Sequence, residues 1–324
     1  EDPALEWAGS SLATLFGQKS NLLRPAFWRM LSDILRFNRE STAWLRTPPD
    51  EAQPLREFLR QGRYSAAFSD WYLLPMAAAI WSCPTGQMLD MPLATFIRFC
   101  DNHGLLQVFN RPLWRTVKGG GREYVKKIAA QLSDVRIACP VSAVSREAGG
   151  LRLTHAQGSE YFDQVVLACH SDQSKQILGQ TASDGQRAVL ESIRYQPNRA
   201  VLHTDTRVMP GRRAAWAAWN YERAANGTQE SARVCLHYWL NRLQPLPFAQ
   251  PVLVSLNPVR GIDPARVLGA FDYDHPVFDL GALAAQKQLP LLQGAQHTWF
   301  AGAWTGYGFH EDGLQSGYRA ADAL

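Results

Sequence analysis

Apolar residues recur at helical spacing over residues 22–46. Leu23, Phe27, Met30, Leu31, Ile34 and Leu35 alternate with Arg29, Asp33, Arg36 and Arg39, which predicts an amphipathic helix stopped by Pro48 and Pro49. Residues 54–60, 65–81 and 93–103 read as further apolar helices broken by glycine or proline, so the first 110 residues form a helical layer. From about residue 111 the texture changes. Gly119-Gly120-Gly121 leads into a helical pattern (Tyr124, Ile128, Leu132), and short strands are expected at 134–139, 141–146 and 151–155, the last two joined as a hairpin through Gly149-Gly150. Val165-Val166-Leu167-Ala168 suits a strand buried on both faces, and a helix follows over 174–178. Residues 200–204, 214–221, 234–240 and 252–256 alternate as sheet. A last strand over 296–301 leads through a glycine-bearing turn into a helix from about Asp312.

At 324 residues the chain exceeds one ordinary core, so two domains or a discontinuous pair are expected. With 46% hydrophobic and 19% charged residues, wholesale disorder is excluded. No apolar run reaches membrane-spanning length, because the longest candidate, around 71–83, is bounded or broken by Asp70, Pro75 and Pro84. The five cysteines are widely spaced, with no CxxC and no histidine at zinc-ligand spacing. That pattern points to a reducing, cytoplasmic setting, with neither a disulfide framework nor a metal. The net charge of +4 is small for the length. Arg111, Arg115, Lys118, Arg122, Lys126 and Lys127 face only Glu123, but no aromatic interleaving or nucleic-acid module accompanies them, so they read as a solvated helix face. No secretory signal occurs in the chain.

Candidate chemistry concentrates at the C-terminal strand, turn and helix, TWFAGAWTGYGFHEDGLQSGYRAADAL. Gly302, Gly306 and Gly308 lie in the turn, and Gly313 and Gly317 lie in the helix. Glycines there let a ligand approach the backbone, and the N-H groups of a first helical turn favour an electron-rich group. The same run also reads as a tight structural turn plugged by Trp304, Tyr307 and Phe309. His170, Ser171 and Asp172 are consecutive and cannot face one another as a hydrolytic triad. Trp216, Trp219, Tyr221, Tyr238 and Trp239 fill a core or line a substrate cavity.

The run FAGAWTGYGFHEDGLQSG resembles the closing motif of the flavin-containing amine oxidase superfamily. WRTVKGGGREYVKKI and PVSAVSREAGGLRLTHAQGSEYFDQVVLACH resemble two internal blocks of that superfamily in the same order. LRFNRE, HYWLNRLQPL and VSLNP extend the likeness, over essentially the whole chain, to a bacterial branch of amine-oxidase-like, NAD/FAD-binding proteins. The superfamily's opening GxGxxG strand-turn-helix has no counterpart here. Residue 1 is therefore expected to fall after a missing nucleotide-binding βαβ unit.

The resemblance implies an α/β, FAD/NAD(P)-binding-type fold, incomplete, with a helical part (1–110), a cofactor part (111–190 and 290–324) and a discontinuous sheet-rich substrate part (191–289). It implies FAD as cofactor, a small-molecule substrate and no nucleic acid. The activity would be hydride transfer from a substrate C-H to flavin N5, on an amine or an apolar, lipid-like molecule; a scaffold protein that has lost flavin binding is the alternative. By position, Val141 would meet the adenine, and Ala168 and Cys169 would end the strand passing near the cofactor. Gly302 and Ala303 would lie on the ribityl and diphosphate side, with Trp304 beside the turn. His310, Asp312, Gly313 and Leu314 would lie along the pyrimidine edge, His310 acting as general base or as hydrogen-bond donor to that edge. Lys118 is either the lysine that some relatives use to hold a water near the flavin or a solvated residue.

Overall fold

A computed structural model of the chain describes residues 5–46, 53–107, 112–223 and 234–324; Pro48, Pro49 and Arg111 lie outside these. The chain divides into two compact units, Glu1–Glu123 with Pro197–His275, and Tyr124–Gln196 with Pro276–Leu324.

In the first unit the long helix Pro25–Arg46 opens on proline, whose fixed φ suits a first helical position, and buries Phe27, Met30, Phe37 and Trp44. That stripe differs from the expected one: Leu23 and Leu35 are exposed, and Asp33 lies in the core. Burial is tolerable because the Asp33 carboxylate accepts the Ser65 N-H at 3.0 Å and an Arg36 N-H at 3.0 Å. Helical pieces Ala66–Phe68, Ser69–Leu73 and Leu74–Trp81 run on from one another, with a widened π turn in the middle. Leu55–Gln61 and Leu93–Asn102 form as expected. Phe37 joins the layer, within 6.1 Å of the rings of Phe58, Tyr64, Phe68 and Phe96.

The second unit begins at Tyr124, within helix Arg122–Ala129, which buries none of its side chains. The strand expected at 134–139 does not form. Instead the chain turns at Ala138, a left-handed residue with φ 54°, and Pro140 then removes a backbone donor. β1 (Val141–Glu147), β2 (Gly150–His155) and β3 (Gly158–Phe162) make an antiparallel meander, β1 and β2 turning through Gly149 at φ 80°. β4 (Val165–Leu167) follows. It buries Val165 and Leu167, but Val166 is 40% exposed, so one face of this strand is open where two covered faces were expected. Helices Ser171–Leu178 and Asp184–Ser192 start earlier than, or were absent from, the sequence reading.

The sheet of the first unit contains β5 (Arg194–His203), β6 (Trp219–Glu222), β7 (Cys235–Trp239), β8 (Leu253–Leu256) and β9 (Val267–Val277), in the order β6-β7-β8-β5-β9. β6 is shorter than expected because Asn220 folds back on Ala217 through both its amide groups, at 2.9 and 2.7 Å, so the chain reaches the sheet late. β9 was not foreseen: most of its residues are exposed, which blurs the apolar alternation. The chain returns to the second unit with helix Leu280–Gln288 and β10 (Thr298–Phe300), which pairs in parallel with β4. Leu178, Val189, Leu190, Ala282, Ala285 and Phe300 form the core on the covered face. Helix His310–Ala323 closes the chain. All five cysteines are free thiols, and no helix among the described residues is long and apolar enough to cross a membrane.

Candidate functional site

In register, Leu167 of β4 faces Phe300 of β10, so the two parallel strands end together and release Ala168-Cys169 and Ala301-Gly302 side by side. The Ala301 N-H donates to the Leu167 carbonyl at 3.0 Å and extends the pairing one step. Carboxyl ends of adjacent parallel strands are where open α/β sheets bind ligands, because the chain leaves the sheet there and exposes backbone groups. Gly302 adopts φ 142°, and a Cβ there would stand 2.9 Å from the Trp304 ring, so only glycine fits.

Two side chains lock this junction. The Trp304 indole N-H donates to the Cys169 carbonyl at 3.1 Å, tying the turn to the end of β4. The Ser316 hydroxyl accepts the Gly302 N-H at 2.8 Å and donates to the Gly313 carbonyl at 2.6 Å, tying the turn to the last helix. A Cβ on Gly313 would lie 3.6 Å from the Ala303 nitrogen, so helix and turn are in contact there. Ala168, Cys169, Gly302, Ala303, Trp304 and Gly313 are thus brought together. Val141 packs at the margin of the same core as Phe300 and Trp304.

The remaining expected residues, His310, Asp312 and Leu314, lie in the opening turns of helix His310–Ala323. The Asp312 carboxylate accepts the Phe309 N-H at 2.9 Å, and a Cβ on Gly306 would meet it at 2.4 Å, so Asp312 caps the helix. His310 opens the helix with an exposed side chain, its Nδ1 2.7 Å from the Tyr124 hydroxyl. Leu314 is 47% exposed on the outer face of the helix. Ser316 was missed. Its signal was a serine three residues after a helical glycine, which acquires meaning only once the strand end is known.

The first unit holds a buried polar chain that the sequence reading also missed. The Asp205 N-H donates to His203 Nδ1 at 3.1 Å, which leaves the His203 proton on Nε2, bonded to Ser255 Oγ at 2.7 Å. The hydroxyl then donates to His237 Nδ1 at 2.6 Å, and His237 Nε2-H donates to Glu222 at 2.9 Å. Cys235 lies beside this end, so that Glu222, Cys235 and His237 offer ligand atoms within 4.8 Å of one another. Glu222, Cys235, His237 and Ser255 converge because they are cross-strand neighbours on one face, Glu222 opposite Cys235 and His237 opposite Ser255.

Residues 33–250 match the family described as flavin containing amine oxidoreductase. The match includes Val141, Ala168 and Cys169, while Gly302 to Leu314 lie beyond it. Among solved structures, putrescine oxidase bound to putrescine is similar at 13% identity and a TM-score of 0.61, over 92% of this chain and 75% of that one. Cyclohexylamine oxidase from Brevibacterium oxydans IH-35A is similar at 12% and 0.56, over 91% and 74%. A CLA-producing fatty acid isomerase from P. acnes is similar at 12% and 0.61, over 92% and 75%. At these identities the likeness is one of fold. The curated proteins contain no match.

Proposed function

From the premise that the chain belongs to the flavin-containing amine oxidoreductase family, we propose that it is an FAD-dependent oxidoreductase working on an amine or an apolar C-H substrate. FAD is the cofactor that membership assigns. When bound, it supplies an acceptor for a hydride from a substrate C-H bond. The observation that carries the reading is the junction at the ends of β4 and β10, where Gly302 can carry no side chain and Gly313 brings a helix start against Ala303.

The chain's own residues divide the work. Gly302, Ala303, Ala168 and Cys169 would hold the cofactor through their backbone, with Val141 at the edge of the same core. Trp304 and Ser316 hold that backbone in place through the bonds to Cys169 and Gly302. The helix start at Gly313 would hold an electron-rich ring edge, where its N-H groups favour negative charge. His310, held by the Tyr124 hydroxyl, would hold or move a proton at Nδ1 or Nε2.

The fatty acid isomerase among the neighbours keeps an apolar, lipid-like substrate open beside an amine, because one fold serves several chemistries. An absorbance scan of the purified full-length protein tests the cofactor, with bands expected near roughly 370 and 450 nm. Gly313→Trp should abolish them by driving a ring into Ala303. An unchanged spectrum in that variant would remove Gly313 from the site, and a colourless wild type would end the flavin reading.

A further inference from the structure

Outside the junction, the second unit sets a cysteine, a histidine and a carboxylate in line. Cys139 Sγ lies 3.3 Å from His155 Nδ1, and His155 Nε2 lies 2.9 Å from Glu160 Oε1. The Gln157 N-H donates to the same Nδ1 at 3.2 Å, so Nδ1 is the unprotonated nitrogen and the Nε2 proton points at Glu160. The lone pair that could take a proton therefore faces the thiol. Glu160 is clamped in turn by the Arg136 guanidinium, bonded to both its oxygens, and Arg136 also holds Asp134.

The local fold explains why these groups meet. Val141 pairs with His155 across β1 and β2, and His155 pairs with Gly158 at the mouth of the next hairpin, which carries Glu160 back alongside. Cys139 lies between a left-handed Ala138 at φ 54° and the start of β1 at Val141, so it precedes the strand. The imidazole is 8% exposed and Cys139 is half-buried, so the base is shielded while the cysteine is not sealed in the core. Nucleophile, base and orienting carboxylate at hydrogen-bond spacing are the arrangement that activates a thiol. Of the other thiols, Cys83, Cys100 and Cys235 are buried, and burial pushes each up to about 12. Cys169 is half-buried like Cys139, but its sulfur partners the Ser174 hydroxyl at 3.3 Å.

We propose that Cys139 is a nucleophilic thiol, activated by His155 and Glu160, and that it is a site of oxidation by hydrogen peroxide. His155 Nδ1 takes the thiol proton as sulfur attacks one peroxide oxygen. An S-O bond forms, the O-O bond breaks, and the departing hydroxide takes up the proton from His155, leaving sulfenic acid and water. Sulfur is oxidised and peroxide reduced, so the step balances without the flavin and stands apart from the function proposed above. Glu160 is a positioning residue, acting through the imidazole.

The test treats the purified full chain with hydrogen peroxide, traps sulfenic acid with dimedone and reads each cysteine by peptide mass spectrometry. Cys139 should gain the adduct at least about tenfold faster than Cys169, His155→Gln should slow it at least about tenfold, and Glu160→Gln about threefold. Equal labelling of Cys139 and Cys169, or a folded His155→Gln with an unchanged rate, overturns the proposal. Alkylation of the wild type by iodoacetamide needs no variant. At about pH 6.5, near the ordinary imidazole range, Cys139 should react about tenfold faster than glutathione, and a rate equal to glutathione's also overturns it.

Discussion

His203 shows how much one side chain's surroundings decide. Burial, and then the neighbouring His237, push its proton affinity down from 6.5 to about 4, so the folded protein holds it neutral. The unfolded chain takes up the proton first as pH falls, so the stability this group contributes is present above pH 6.5 and is lost as pH falls through the window down to about 4. Roughly 3 kcal/mol of unfolding free energy should disappear there, as read from urea midpoints at several pH values. His203→Gln should be less stable at neutral pH yet flatter across that window; equal slopes in the two proteins would show that another group controls it. Asp205, held low by the Arg207 guanidinium despite its burial, changes charge below the window and does not obscure it. None of this could be read from the sequence, where His203 and His237 are 34 positions apart and Ser255 is one serine among many. Only cross-strand register brings them onto one face. The junction residues were more legible, because glycines betray backbone constraint directly. Asp312 acts through one hydrogen bond and Ser316 through two, and such bonds leave no trace in spacing.

Between elements, the buried carboxylate of Asp33 joins the long helix Pro25–Arg46 to the helical run that starts after Ser65. Burial alone would raise its affinity for a proton, but hydrogen bonds from Ser65 and the guanidinium groups of Arg36 and Arg29 outweigh it and hold the carboxyl below its ordinary range. Asp33→Ala should therefore cost about 2–3 kcal/mol in equilibrium unfolding, because it leaves the Ser65 N-H without its acceptor, and Asp33→Asn should cost less. A loss below about 0.5 kcal/mol for the alanine variant would show that water replaces the carboxylate. Helices were legible where a 3.6 period ran long, and the bounds of Pro25–Arg46 and Leu93–Asn102 lie close to those expected. The face was less so, since a charged residue sits where an apolar one would be assumed. Strands failed where local geometry overrode composition. Residues 134–139 have strand-like content but turn at Ala138, and β9 forms despite lacking alternation because β5 beside it supplies the pairing.

Across the molecule, the second unit exposes many large apolar side chains among the described residues. Val125, Ile128, Leu132, Val135 and Ile137 are all more than half exposed, and Val166 on the open face of β4 is 40% exposed. A two-stranded parallel sheet covered on one side is unusual, since parallel sheets are normally buried on both faces. The 324-residue chain should enhance the fluorescence of a hydrophobic dye such as ANS severalfold over a compact globular standard while keeping cooperative unfolding. Dye emission no brighter than the standard would mean that this surface is covered in solution. The covered face has a different use. Because the indole of Trp304 is pinned to the Cys169 carbonyl at the junction proposed above for FAD, its emission would serve as a built-in optical gauge, dimmed by a yellow chromophore in the junction and restored on its release.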